Sequence, residues 1–285
     1  MTSIIPLQQH PTYHRALTLI GADADYVDGT MVLRRRLPML GQVALVSRAA
    51  EVPIDVLAQQ ARIVLINAET AEQAARLRAF GAVQIVTPRS IAELALTQSE
   101  ADQRNLMHGK WRNRLVAAER ANLCVDRRSF DPDGHGWLLQ SDQDQQRRKG
   151  FRGWPPALTH AFASTNPTST HVWTAYAQSK PIAAIMMLRH GAVATYHIGW
   201  SSDAGRNVHA HCALIWRASR WLAAQGHSLL DLGGIETQHA PGLARFKLGT
   251  GAVPRALGGT WVYTAPTGFL SRGVRRIAMR TPLAS

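Results

Sequence analysis

The sequence predicts a mixed α/β (α+β) chain of mixed sheet and flanking helices, and the order of its elements allows two similar units. Three observations carry this. In the first hundred residues, apolar runs of strand length alternate with a helix-period segment. A capped amphipathic helix follows. The second half then reads strand, strand, strand, helix, strand. A length of 285 residues is long for one such domain and comfortable for two.

The elements can be justified in order. Residues 42–47, 62–66 and 83–87 are short apolar runs that suit strands. Between the last two, residues 68–80 are rich in Ala, Glu and Arg and suit a surface helix. Gly81 stands where such a helix stops, because a residue without Cβ tolerates positive φ. Thr97-Gln98-Ser99-Glu100 has the form of a capping box, which predicts one helix over 97–122. Met107, Trp111, Leu115 and Ala118 form its apolar stripe, expected to pack partly on the first unit, while Lys110, Arg112, Arg114 and Arg120 form a basic side. Residues 141–150 are polar throughout and read as an exposed helical turn or a loop. Strands are predicted at 171–177, 182–189 and 192–200, joined by tight connections into an antiparallel meander. A helix over 207–225 and a short strand at 229–232 complete the unit. The tail, residues 272–280, carries four arginines and reads as a basic surface segment.

Composition limits the function. Hydrophobic residues make up 46% and charged residues 18%, which is enough for a sizeable core and unlike a disordered chain. Neither an 18-residue apolar run nor a basic-then-apolar N-terminus is present, so a cytoplasmic protein is expected. The two cysteines, Cys124 and Cys212, are spaced for neither zinc nor a disulfide framework and are expected to be buried packing residues. His209 and His211 would diverge on a helix, so no metal site is expected. The formal net charge is +13, which suits a polyanionic partner such as nucleic acid, a phosphorylated substrate or an anionic membrane surface. It equally suits a chain that writes Arg wherever a solvated cation will do.

Two distant segments resemble one family. TQSEADQRNLMHGKWRNRLVAAERANLCV (97–125) is similar to the Ser/Glu-led helix with a Lys-Trp-Arg-Asn centre found in FemABX-type aminoacyltransferases of the GNAT superfamily. LLDLGGIETQHAPGLARFKLGTGA (229–252) resembles that family's strand ending in Asp-x-Gly-Gly-Ile, followed by Phe-Lys. Between them, GWSSDAGRN (199–207) is similar to its Gly-x-Ser turn. The likeness spans about residues 40–265. It implies tandem GNAT-like folds: a degenerate first copy over 1–95, which in the family helps recognise the acceptor, and a transferase copy over 96–285. It also implies transfer of an amino acid from aminoacyl-tRNA, used as co-substrate with no tightly bound cofactor. The acceptor implied is an amine, in the family often a peptidoglycan precursor.

The resemblance gives residues roles. Lys247 falls where the family's Lys neutralises charge developing on the carbonyl and terminal ribose, and is expected to be an exposed side chain that adds little to stability. Phe246 would line the channel or pack. Gly233 and Gly234 allow close backbone approach or simply form a turn. Asp231 either orients the amine or caps the turn. Tyr196 and Trp200, on one face of a regular strand, are candidate platforms for a nucleoside or else core. Arg206 is a candidate donor contact. Two other readings stand beside this one. One is an acyl-CoA-dependent GNAT N-acetyltransferase, although 202–207 holds one Gly and an Asp that repels phosphate. The other is a non-catalytic nucleic-acid-binding protein on a transferase scaffold.

Overall fold

The computed structural model describes residues 4–238 and 240–264. In chain order the elements begin with α1 (Pro11–Leu19), β1 (Asp23–Val27), β2 (Thr30–Leu37), β3 (Gly41–Ser47), α2 (Ile54–Gln60), β4 (Ile63–Ala68), α3 (Ala71–Ala79) and β5 (Val83–Val86). Then come β6 (Ser90–Ala95), α4 (Glu100–Asn105), α5 (Gly109–Arg120), β7 (Cys124–Ser129), α6 (Pro132–Lys149) and α7 (Pro156–Thr165). The chain continues with β8 (Thr170–Ala177), β9 (Lys180–His190), β10 (Val193–Ser201), α8 (Asp203–Asn207) and α9 (Ala210–Ala224). It closes with β11 (Leu229–Ile235), α10 (Pro241–Gly249), β12 (Val253–Ala256) and β13 (Gly259–Thr264). No helix among the described residues is long and apolar enough to cross a membrane.

The described residues divide into two compact units, 8–90 with 256–264, and 4–7 with 91–255. The first holds a six-stranded sheet in the order β1-β2-β3-β4-β13-β5. Val32, Val46, Leu57, Ile66 and Trp261 are among the buried side chains of its core. The expected surface helix is α3, capped by Thr70 Oγ1, which accepts from Gln73 N, and Gly81 follows it at φ +97°. The second unit holds a seven-stranded sheet, β12-β6-β11-β10-β9-β8-β7. The expected meander is there as β8, β9 and β10, with β7 added at its edge.

Each sheet borrows its second-to-last strand from across the chain. β6 follows β5 in sequence yet lies between β11 and β12, and β13 returns to lie between β4 and β5. A division at residue 95 assigns 256–264 to the wrong unit. The physical reason is Trp261: it is buried in the first core, and its indole N–H donates to Gly258 O at 2.9 Å. The backbone comes so close there that a Cβ on Gly258 would lie 2.2 Å from Thr70 O.

Three further expectations are corrected, and the open choice at 141–150 is resolved as helix. The helix predicted over 97–122 is broken. Ser99 Oγ, not Thr97, caps α4 by accepting from Asp102 N, and His108 Nδ1 caps a second helix, α5, by accepting from Lys110 N. Glu100 pairs with Arg104 instead of closing a capping box. The Met107/Trp111/Leu115 stripe belongs to the second unit's own core, with Leu214, Ala218 and Leu222. Cys124 is exposed on β7, while Cys212 is buried. Residues 141–150 are the end of the 18-residue helix α6 and its stop. Asp131 caps its start and Gly150, at φ +68°, its end. The segment 272–280 lies outside the described residues.

The exchange of strands makes a sharp truncation test. Deleting residues 1–95 removes β6, and with it the buried side chains of Ile91 and Leu94, about 1.5–3 kcal/mol each. It also exposes an unpaired edge on β11. Deleting only 1–89 keeps β6, and both deletions also remove 256–285, because β13 belongs to the first unit. The longer deletion is expected to aggregate and the shorter to stay soluble and melt cooperatively. Identical behaviour in size-exclusion and thermal melts would show that β6 contributes nothing.

Candidate functional site

In the second unit the sheet comes apart at one seam. β10 and β11 pair in parallel only over Val193–Thr195 with Leu229–Asp231, although β10 runs on to Ser201 and β11 to Ile235. The cause lies in β10. Its partners on β9 step from Tyr196–Met187 to Ile198–Met186, so His197 is an extra, bulged residue. A bulge bends its strand and steepens the twist, which carries β10 away from β11. In the first unit β3 and β4 remain paired over five residues, Val43–Ser47 with Ile63–Asn67. The seam that opens in one copy is closed in the other.

Side chains take over the backbone groups at the opening. Asp231 is buried, and its Oδ1 accepts from Gly233 N at 2.7 Å, the turn-capping arrangement. Gly233 has φ +76°, a conformation that disfavours any residue with a Cβ. Lys247 Nζ donates to Gly234 O at 2.7 Å. Gly234 itself is exposed, and a Cβ there would meet nothing within 4 Å, so the space above the Gly-Gly turn is free.

Lys247 lies on α10 and is buried, at 6% relative exposure, which corrects the expectation of an exposed side chain. Burial holds its ammonium down at about 8, with the Asp231 carboxylate acting in the opposite direction. Phe246 packs between the rings of Trp111, at 6.1 Å, and His211, at 5.3 Å. Gly249 lets α10 press onto Trp111, since a Cβ there would lie 2.8 Å from its Cδ1. Asp231, Gly233, Gly234, Phe246 and Lys247 are thus brought together as the sequence suggests.

Tyr196 joins them through His211, which the sequence presents only as a rejected metal ligand. Its hydroxyl lies 2.9 Å from His211 Nε2, and His211 Nδ1 lies 3.1 Å from Ser201 Oγ. Burial keeps the imidazole neutral down to about 4, against a backbone hydrogen bond with Trp200 that acts in the opposite direction, and pushes the phenol well above its ordinary range. His211 could have been found as the polar side chain at the start of an otherwise apolar helix. Trp200 does not join the group. The bulge reverses its face relative to Tyr196, and its ring meets Trp137 of α6 edge-on at 5.2 Å. His197, the extra residue, packs on Trp154 at 4.6 Å and lies 3.0 Å from Thr159 Oγ1. Arg206 pairs with Asp203 and donates to Ser201 O at 2.6 Å, so its guanidinium braces the end of β10. No cluster of three or more metal-type ligands occurs among the described residues. The first unit has a cavity of its own, about 440 Å³, lined by Ser47, Arg48, Asn67, Arg89 and Thr260 among others.

The comparisons agree with this geometry. Residues 107–248 match the acetyltransferase (GNAT) domain family. No curated protein matches by sequence. Among solved structures, FemX superposes with a TM-score of 0.74 at 13% identity, over 95% of this chain and 94% of that one. The C-terminal domain of a putative lysylphosphatidylglycerol synthetase from Agrobacterium fabrum gives 0.60 at 13%, over 96% and 92%. A tandem GNAT protein from the clavulanic acid biosynthesis pathway gives 0.51 at 13%, over 84% and 81%. At these identities the likenesses establish a tandem GNAT fold.

Two glycine substitutions should separate packing from open space. A Cβ on Gly199 would lie 1.6 Å from the Tyr196 hydroxyl and 2.8 Å from His211 Cε1. Gly199→Ala should therefore cost about 1–3 kcal/mol, read as a melting temperature lower by several degrees. Gly234→Ala, with empty space around its Cβ, should melt within about a degree of wild type. Equal melting of Gly199→Ala and wild type would mean that Tyr196 is not held as described.

Proposed function

Taking as premise that the chain belongs to the GNAT acyltransferase superfamily and has the FemABX-type tandem fold, we propose that it moves an aminoacyl group from aminoacyl-tRNA onto an amine acceptor. The observation that carries this reading is the buried Lys247 ammonium, bonded to Gly234 O where β10 and β11 part. Lys has three N–H groups, and Gly234 O takes one. The others are available to an oxygen in the opening.

The chemistry follows from that placement. A neutral amine attacks the ester carbonyl, a C–N bond forms, and negative charge develops on the carbonyl oxygen. The ammonium, in a site partly shielded from water, stabilises that charge most as the transition state forms. The C–O bond to the ribose then breaks, the leaving oxygen takes a proton from Lys247, and the proton released by the attacking nitrogen restores the ammonium. Phe246 and the Tyr196–His211–Ser201 chain hold the walls. No protein nucleophile is required. The buried Cys212 agrees with this, since burial pushes its thiol up to about 12.

The local structure at 202–207 weighs against acyl-CoA as donor. Ser202 Oγ caps α8 itself by accepting from Gly205 N, and Gly205 is packed so tightly that a Cβ would lie 2.1 Å from Ile182 O. Asp203 adds a negative charge where a pyrophosphate would have to sit. The +13 charge supports a polyanionic donor. For the acceptor, the resemblance points to an amine-bearing molecule such as a peptidoglycan precursor. The likeness to lysylphosphatidylglycerol synthetase structures supports a headgroup at an anionic membrane surface as the other acceptor to assay. Mass spectrometry of amine acceptors incubated with aminoacyl-tRNA or acetyl-CoA tests the donor directly. Transfer from acetyl-CoA alone would overturn the reading.

Lys247 gives the sharpest test of mechanism. Lys247→Ala should lose about 100-fold in turnover with donor binding nearly intact, and Lys247→Arg should recover only part of it. Since the ammonium is the active form, the wild-type rate should fall as pH rises through about 8. The stability effect has its own sign. The folded value lies below that of the unfolded chain, 10.5, so the unfolded state binds more protons between the two. The stability present above 10.5 is lost as pH falls to about 8, a change of about 3 kcal/mol at roughly 1.4 kcal/mol per unit. Lys247→Met should remove that slope from denaturation curves. Unchanged turnover in Lys247→Ala would end the catalytic assignment.

A further inference from the structure

A second cluster lies at the other end of the same sheet, where β10 and β11 begin. Trp221 of α9 is half-buried, and two guanidiniums stand over its ring, Arg127 of β7 at 4.4 Å and Arg189 of β9 at 5.1 Å. His171 and Trp173 of β8 meet the same indole edge-on, at 4.7 Å and 5.5 Å. Arg189 Nε donates to His227 Nε2 at 2.8 Å and Nη1 to Thr168 O at 3.1 Å, which fixes the plane of the guanidinium and leaves Nη2 without a protein acceptor among the described residues.

No acid balances these cations. Among the described residues, neither Arg127 nor Arg189 has a carboxylate within 4 Å, while the neighbouring Arg128 is paired with Asp126. Burial, and then the Arg127 charge, pull Arg189 below its ordinary range. His171 and His227, buried beside the arginines, are held neutral down to about 4, by burial first and by the arginine charges after it. The fold holds two fixed cations together with nothing of opposite sign between them, so an anion bound there would relieve their repulsion. A guanidinium stacked on an indole keeps its N–H fork pointing outward, the geometry that suits a phosphate.

We infer that Arg127 and Arg189, stacked on Trp221, form a docking site for the sugar–phosphate backbone of a double-stranded RNA stem. The choice of RNA as the polyanion rests on the aminoacyl-tRNA reading; the site itself does not. Arg217, exposed one turn before Trp221 on α9, extends the same strip. None of the large exposed apolar side chains of the described residues lies on β7, β8, β9 or α9, so the strip lacks the anchors a bilayer surface would use. The spacing also suits RNA. His211, at the opening, and Trp221 are ten residues apart on one helix, about 15 Å at roughly 1.5 Å per residue. That distance spans several phosphates of one strand, so a single RNA can reach both places. An RNA whose 3′ end enters the opening would lay its stem on the strip.

Arg127 is exposed on an edge strand, so substitutions there should leave the fold intact. A labelled RNA hairpin stem is titrated with full-length wild type, Arg127→Gln and Arg127→Glu at several salt concentrations, with thermal melts alongside. Arg127→Gln should weaken stem binding about 3- to 10-fold and flatten the log–log salt slope by about 0.9. Arg127→Glu should weaken it more than about tenfold, with melting unchanged. Stem binding by Arg127→Glu equal to wild type overturns the site. So does a loss confined to phosphatidylglycerol-containing vesicles, which would make the strip a lipid contact. The donor reading fails separately. A wild type that does not use aminoacyl-tRNA, yet binds the stem through Arg127, keeps the site and loses the donor.

Discussion

The bulge at His197 is the constraint on which the rest of the site depends. One extra residue in β10 does three things at once. It bends the strand off β11, so that parallel pairing stops after Thr195 and Asp231. It reverses the faces of every later side chain, which brings Gly199 and Ser201 to the side of Tyr196 and sends Trp200 to the side of Trp137. It also leaves His197 itself pointing at α7, where Thr159 and Trp154 fix it. An unbulged strand would close the seam and bury the space above Gly234. Bulges of this kind re-aim side chains next to functional sites, and here the aim is set by a packed imidazole rather than by a flexible loop.

Opening a sheet leaves backbone groups without their ladder partners, and a buried unpaired group costs about 1–3 kcal/mol. The second unit answers with side chains. Asp231 Oδ1 accepts from the Gly233 N–H, and Lys247 Nζ donates a hydrogen bond to Gly234 O. The second answer has a chemical consequence. A lysine drawn in to satisfy a carbonyl is desolvated, and its pKa falls toward the range in which it can exchange a proton near neutrality. On the proposed reading, the ammonium that repairs the seam is also the group that meets the developing charge. A group doing both should be expected to show mixed effects on rate and stability when replaced.

How much of this could be read from the sequence depends on which interactions are local. The Asp-Leu-Gly-Gly-Ile and Phe-Lys segments, 231–235 and 246–247, point to one site and they do meet, although nothing in them places Phe246 and Lys247 on a helix, α10. The meander and the α9 helix were legible from period alone. The face of Trp200 was not, because a bulge changes parity without changing hydrophobic pattern. The burial of Lys247 was not, because it depends on Gly234 O, thirteen residues away. The break between α4 and α5 was written in plain sight: His108-Gly109 is a cap followed by a residue with poor helix propensity, yet a long apolar stripe ran across it. The exchange of β6 and β13 was invisible, since nothing in a strand's own residues says which of two similar sheets it will join.

The two copies also show why only one of them opens. At the matching seam of the first unit, β3 and β4 are tied together at the very end of their pairing. Asn67 Nδ2 donates to Ser47 Oγ at 2.9 Å, Arg48 N donates to Asn67 O at 2.9 Å, and Asn67 Oδ1 accepts from Thr260 Oγ1 of β13 at 2.9 Å. One amide side chain therefore stitches three neighbouring strands. Where β4 carries Asn67 and Ala68 toward its end, β11 carries Gly233 and Gly234, which have no side chain to cross the gap and, at Gly233, a backbone turned to positive φ. The same topology thus gives a sealed sheet or an open one according to whether the residues at the seam can hydrogen-bond across it. The copy that lacks the stitch is the one that opens, while the other keeps a cavity beside its stitch, lined by the same Ser47, Asn67 and Thr260 that close the seam.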